Sequence, residues 1–571
     1  MKKIIMALSL SGALFTSVAS YAETTTPTPA AVSVAGFQAA QIEFALGKTN
    51  VSADDAGIKS IVDYAKAHPE ASFQLSGFVD STGDAESNKK IAKERAEKVK
   101  DSLVAAGVAA DKIVLQKPDD ITAGTTESAR RVEISLVNTA AAAATESAAE
   151  ASTPATAETA AASEATAAAP VAKLDTGDTA WILISTALVL LMTIPGLALF
   201  YGGMVRKKNV LATMAHSFMA AAVVSIVWVV IGYTLAFDTG NSFVGGLSKL
   251  MLSGITTESL QGTIPEILFV IFQMTFAIIT VAIISGSIAE RMKFGAFIAF
   301  ITIWVIVVYA PITHWVWGGG WLGTDGALDF AGGTVVHINS GVAGLVAAYV
   351  VGKRIGLGKE SMAPHNLVLT VIGASLLWVG WFGFNGGSAL GANGAAGYAL
   401  VTTQVAAAAA AISWSVVEKL VRGKSSVLGA VSGGVAGLVV ITPAAGFVTV
   451  GGSLIMGLLG GVICFWGITG LKRVLKADDS LDAFGLHAVG GMAGAILTGV
   501  FASSFIMGDK APVDVMHQLW VQLEGVLATI AYSAILTFII LKVIDVVIGL
   551  RVTNDDERMG LDLSQHGERV E

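Results

Sequence analysis

Hydrophobic positions follow two rhythms along this chain. Between about Val34 and Val137 they are sparse and interrupted by charge. Ile58, Ile61, Val62 and Ala65 recur at helical spacing, Phe73, Leu75 and Gly77 alternate as a strand, Glu86 to Ala106 reads as a charged amphipathic helix, and Val132, Ile134 and Leu136 alternate again. The expected order is β-α-β-α-β, a small α+β domain. From about Asp175 the pattern becomes a series of apolar runs of spanning length, as in helices whose solvent is lipid. Lys and Arg gather in alternate loops, at Arg206-Lys207-Lys208, Arg291 with Lys293, Lys353-Arg354, Lys419 with Arg422 and Lys424, and Lys472-Arg473. The positive-inside rule makes those loops cytoplasmic and predicts about eleven spans, entering from outside and ending inside.

The flanking segments agree with that orientation. Lys2 and Lys3, an apolar core from Ile4 to about Val18, and small residues at Ser20 and Ala22 form the layout of a secretory signal peptide, residues 1–22. Residues 23–138 would then be an exported domain. Residues 139–173 are almost entirely Ala, Thr, Glu, Ser and Pro and lack the apolar bulk to bury a core, so they read as a linker. Its typical end-to-end distance would be roughly 30 Å. Residues 174–550 form the expected membrane domain and 551–571 a cytoplasmic tail.

Composition adds exclusions. With 53% hydrophobic and 14% charged residues among 571, and a net charge of -8, there is no reason to expect nucleic acid as a partner. The single cysteine, Cys464, precludes an intrachain disulfide and reads as a packed small hydrophobe. Paired glycines at Gly386-Gly387, Gly433-Gly434, Gly451-Gly452 and Gly490-Gly491 lack a Walker lysine and suit close helix packing. No His, Cys and Glu grouping has metal-ligand spacing, and no cofactor is expected.

Chemistry concentrates in an internal repeat. His337-Ile-Asn-Ser-Gly341-Val-Ala-Gly344 matches His487-Ala-Val-Gly-Gly491-Met-Ala-Gly494, and Phe200-Tyr-Gly-Gly203 matches Phe384-Asn-Gly-Gly387. The histidine element falls in the fifth and tenth spans and the phenylalanine element in the first and sixth, so each repeat has five spans and the second copy is inverted. The expected class is therefore an all-α polytopic membrane protein of two inverted five-helix repeats plus one helix, preceded by the α+β domain. Inversion would bring His337 and His487 together inside the bundle, where an ionisable side chain marks a functional site. Upstream of His337 lie an aromatic cluster, Trp315 to Trp321, and Asp329, whose position suits helix capping.

Two resemblances follow from longer motifs. Gly77-Phe-Val-Asp80-Ser-Thr-Gly83 with Asn88, Lys93-Glu-Arg95 and Arg130-Arg131-Val-Glu-Ile resembles the OmpA-like peptidoglycan-binding domain. That resemblance implies that Asp80 and Arg95, with Asn88 beside them, grip the ammonium and carboxylate of diaminopimelate in the cell-wall peptide. The chain departs from the family pattern by Val79 in place of Thr and Ala129 in place of Asn. Phe200-Tyr-Gly-Gly203, Glu290-Arg291, Trp317-Gly-Gly-Gly320, Asp329-Phe-Ala-Gly-Gly-Thr-Val-Val-His337, Pro364-His-Asn366, Trp381-Phe-Gly-Phe384-Asn385 and Gly485-Leu-His487 resemble the ammonium transporter family (Amt/Mep/Rh), on its bacterial Amt branch.

The second resemblance implies a homotrimer in the bacterial inner membrane, a transporter rather than an enzyme, with ammonium or ammonia as its cargo. It places Trp317, Phe276 and Ser388 at an outer recruitment site, Phe276 and Phe384 at a phenyl gate, and Trp381, His337 and His487 along the pore. It also implies a PII-type signalling protein as a partner of the tail. A sensor that binds ammonium and transports little is the competing reading.

Overall fold

A computed structural model of the protein describes residues 40–44, 56–68, 71–79, 85–116, 130–136, 173–508 and 511–570. The signal peptide, Asp80 and the linker up to residue 172 lie outside the described residues. Two compact units result, Met1–Thr166 and Ala167–Glu571.

In the first unit the strands β1 (Ala40–Glu43), β2 (Phe73–Gly77), β3 (Ile113–Gln116) and β4 (Arg131–Leu136) form one sheet of order β1-β4-β2-β3. Only β2 and β3 are parallel; β4 runs antiparallel to both its neighbours. Helices α1 (Ala56–Ala67) and α2 (Ala85–Ala105) supply Ile58, Ile61, Val99 and Leu103 to a core with Ile42, Phe73, Leu75, Val132 and Ile134. Gly77 ends β2 because α2 crosses there: a Cβ on it would lie 2.2 Å from the Ala92 carbonyl oxygen. The expected β-α-β-α-β order omitted β3, whose consecutive Ile113, Val114 and Leu115 leave Val114 and Leu115 exposed instead of alternating.

In the second unit, eleven helices among the described residues are long and apolar enough to cross a membrane. The first five are Thr176–Met204, Lys207–Phe237, Glu266–Ile288, Phe294–Thr324 and Gly333–Val351. The second five are Leu367–Gly386, Gly394–Arg422, Val427–Ala444, Val450–Leu475 and Phe484–Phe501, followed by Val515–Val547. Helices satisfy every backbone group internally, the condition for spanning lipid. Their ends are defined by side-chain caps: Asp175, Asn366, Asn393, Ser426, Thr449 and Asp514 each accept a backbone N–H at the start of a span.

Equivalent spans of the two repeats cross at glycine. A Cβ on Gly341 would stand 2.4 Å from the Ala488 nitrogen, and one on Gly491 2.8 Å from the Gly333 carbonyl oxygen, so the fifth and tenth spans touch backbone to backbone. The first and sixth do the same, with Gly373 against the Phe200 nitrogen at 2.2 Å. Close approach by small residues is the main way apolar helices associate where lipid competes equally for their side chains.

One end of the bundle, which carries the Lys and Arg clusters, is tied by buried ions. Glu290 accepts the backbone N–H of Arg206 at 2.7 Å and its guanidinium at 2.7 Å, and lies 3.4 Å from Arg354. Arg354 in turn grips Asp478 at 2.8 Å, and Arg291 donates to the backbone carbonyls of Gly352, Ser287, Ala289 and Asp478. The tail completes this end on its own chain. Glu557 pairs with Arg551 at 2.7 Å and accepts the Ile355 N–H at 2.6 Å, while Asp562 accepts the Ala212 N–H at 2.8 Å.

Two stability outcomes are expected. Gly341→Ala should cost about 1–3 kcal/mol by overpacking and lower the thermal midpoint in detergent, whereas Gly397→Ala, with nothing within 4 Å of its added carbon, should not. Burial alone would push the Asp478 carboxyl up, but the Arg354 hydrogen bonds and charge, aided by Arg291, bring it down to about 2 from its ordinary 3.8. A depressed carboxyl stabilises the fold above its unfolded value and loses that contribution as pH falls through the folded one. Melting temperature should therefore drop between about pH 4 and pH 2, and Asp478→Asn should start lower and show a flatter profile over that window.

Candidate functional site

Both histidines sit on π-helical turns, His337 within Gly333–Ile338 and His487 within Phe484–Ala488. Such turns recur at functional sites, where the widened helix shifts the register of the side chains. Beside the glycine crossing, His337 Nδ1 and His487 Nδ1 stand 3.2 Å apart, with the rings stacked at 27°. Both are buried, at 1% and 4% exposure. One Nδ1 must donate and the other accept, which fixes opposite roles for the two Nε2 atoms: acceptor on the first ring, donor on the second. His337 Nε2 has no hydrogen-bond partner among the described residues.

Each histidine helix is anchored by an aspartate eight residues upstream. Asp329 accepts four backbone N–H groups, from Gly332 and Gly333 on Oδ1 and from Thr334 and Val335 on Oδ2, at 2.7 to 3.1 Å. Gly332 makes this possible with a φ of 111°, a left-handed conformation that suits glycine. Burial pushes the Asp329 carboxyl above its ordinary value, and those four N–H groups oppose that shift. In the second repeat Asp479 does the same work, accepting from Ala483 and Phe484 and from the Ser287 hydroxyl. Reasoning from sequence named Asp329 and missed Asp479. The signal was present: Asp329 to His337 and Asp479 to His487 share one spacing.

Aromatic rings lead from the opposite end of the bundle to this pair. Trp317 meets Phe276 edge-on at 6.0 Å, Phe276 stacks on Phe384 at 4.2 Å and 21°, and Phe384 lies 6.1 Å from His337. Trp381 stacks on His337 at 5.4 Å, held by a 2.9 Å bond from its Nε1 to Thr442. Trp317 is half-buried, and its Nε1 is committed to the Asp329 carbonyl at 2.8 Å, which fixes the orientation of its ring. Ser388 donates to the Phe384 carbonyl at 2.8 Å, so its oxygen keeps lone pairs for an N–H donor. Below the phenyl pair, Ile279, Ile283, Leu377 and Val435 join the two histidines around a narrow cavity of about 10 Å³.

In chemical terms the arrangement offers a cation aromatic faces and a hydroxyl at one end. Beyond the stacked rings it offers only apolar walls and two imidazoles, a path costly for a bare charge. Among the described residues no group of three or more His, Cys, Asp or Glu is placed to hold a metal ion.

In the first unit, Asp80 lies outside the described residues, and Asn88 lies on α2 with its side chain also outside them. Arg95 is 1% exposed; its guanidinium sits 5.1 Å over the Phe44 ring and donates to the Phe78 carbonyl, two residues before Asp80.

Comparison with known proteins covers both units. Residues 43–133 match the model of the OmpA family, and residues 180–571 match that of the Ammonium Transporter Family. The ammonium transporter of Bacillus subtilis (strain 168) is 53% identical over 403 residues, 69% of this chain and 98% of its own length. The crystal structure of Candida albicans Mep2 superposes with a TM-score of 0.64 at 39% identity, covering 70% of this chain and 90% of that one. A structure described as "Sensor Amt Protein" gives a TM-score of 0.64 at 29% identity, covering 68% and 98%. Residues from Asp175 to the tail, with their paired histidines and repeated glycine crossings, therefore place this chain in the ammonium transporter family.

Proposed function

We propose that the membrane unit carries ammonium across the bacterial inner membrane as a channel that admits the ion and passes ammonia. The observation that carries this reading is the 3.2 Å imidazole pair behind the stacked Phe276 and Phe384. Ammonium is recruited by Trp317, Phe276 and Ser388, gives up a proton to water on the outer side of the gate, and crosses the apolar segment as the neutral molecule. His337 and His487 present one acceptor and one donor to the passing nitrogen, and the pair inverts when the donor Nε2 gives up its proton, the shared proton crosses between the Nδ1 atoms, and the acceptor Nε2 takes up a proton. Potassium has no proton to lose and would have to enter as a charge.

The positive-inside rule supports a cytoplasmic basic end, a cytoplasmic tail and an exported first domain. The family resemblance carried by the sequence motifs suggests a homotrimer, with a PII-type protein as a partner at the cytoplasmic face. The OmpA-family match supports tethering of the first domain to peptidoglycan through Asp80 and Arg95, with Asn88 nearby. Arg95 is held over the Phe44 ring and donates to the Phe78 carbonyl, which suits a guanidinium fixed in one orientation.

The competing reading, an ammonium sensor with little transport, is favoured by the similarity to the structure described as a sensor. In proteoliposomes the intact chain should give an ammonium-dependent current or uptake, and His337→Ala and His487→Ala should each change its rate or its selectivity against potassium. Binding without flux in the intact chain would favour the sensor. For the first unit, the solubilised full chain should co-sediment with peptidoglycan and Asp80→Ala should reduce the bound fraction at least tenfold, about 1.4 kcal/mol. Equal sedimentation of the two would remove Asp80 from the site.

A further inference from the structure

The basic end holds a cleft that neither transport nor helix packing uses. It has a volume of about 500 Å³ and is lined by the loop after the fifth span, the end of the seventh, and the end of the ninth with the turn that follows. Six of its lining residues are cationic and two are acidic. Three cations are engaged: Arg354 with Asp478, Lys472 with Asp482, and Arg422 with Glu418. The other three, Lys353, Arg473 and Lys476, make no side-chain hydrogen bond or ion pair among the described residues.

Cations at span ends are ordinary, because they complement the helix C-terminus and obey the positive-inside rule. Here they come from separate segments and converge on one concave space. Convergence also has a cost, since like charges around a cleft repel one another unless an anion sits between them. Lys476 holds its position in a left-handed backbone conformation, φ 54°, which turns the chain at the end of the ninth span and returns it toward Asp478. Just outside the rim, Val474 is 74% and Trp466 53% exposed, so the cleft opens where the apolar flank of the bundle meets its polar end. That is the level at which lipid phosphates lie.

We propose that this cleft is a binding site for a phosphate group, held by Lys353, Arg473 and Lys476. The group is either the headgroup of an acidic phospholipid or a free phosphate from the aqueous side. Asp478 also lines the cleft and is the residue before the Asp479 that caps the helix of His487, so a ligand there bears on the turn that positions the tenth span. The site itself does not depend on the transport reading.

The test uses the full chain in detergent, delipidated, beside a Lys353→Gln, Arg473→Gln, Lys476→Gln triple variant. One arm follows retention of phosphatidylglycerol against phosphatidylcholine by native mass spectrometry; the other titrates inorganic phosphate by calorimetry. Retention or affinity should fall about fivefold for each cation removed. Preference for phosphatidylglycerol lost in the variant assigns the bilayer as source, and phosphate binding lost in the variant assigns the aqueous side; either supports the site. As a check that needs no variant, the same ligands should shield Lys353 and Lys476 of the parent chain from acetylation relative to Lys359. Equal binding by parent and variant in both arms, or no shielding of those two lysines, would overturn the proposal.

Discussion

Two imidazoles from opposite halves of a chain can share a hydrogen bond only if the helices that carry them approach to backbone contact. That requirement governs the centre of this protein. Gly341 and Gly491 lie one turn beyond each histidine on the same helix face, and at each of them the other helix occupies the space a side chain would need. The aspartate caps then fix where each helix begins, so neither histidine can slide along the crossing. Cap, histidine and glycine form one unit spaced at eight and four residues, present once in each repeat.

The bundle centre is lined by apolar groups around the two imidazoles, and charge gathers at the basic end in buried ions that complete one another's partners. Glu290, Arg354 and Asp478 form a chain in which no charge is alone, and Arg291 spends its donors on carbonyls left open at helix ends. Removing one member would strand another in a site with little water, a larger loss than the pair itself contributes.

Much of the fold could be read from periodicity: the spans, their repeat and the twin histidines all follow from apolar run length and matched spacing. The aromatic path could be read only through resemblance, because a phenylalanine in a spanning helix is indistinguishable from packing until Phe276 and Phe384 stack at 4.2 Å. Asp479 escaped notice because it stands among Asp478 and Asp482, so its cap is one acid in three until backbone geometry selects it. Strand β3 escaped because its apolar residues run together instead of alternating. The burial of Arg95 was also hidden, since a lone arginine on a charged helix reads as solvated.

Docking of the tail has a consequence for how the molecule is made. Ala212 and Asp562, which bond through a backbone N–H and a carboxylate, are 350 residues apart in the chain. At ribosomal rates of roughly 5–20 residues per second, the first contact partner waits something like half a minute for the second. Throughout that interval the Ala212 N–H is without the Asp562 carboxylate. Closure of that contact is thus a late step, and it can be completed only on a chain whose synthesis has run through the tail.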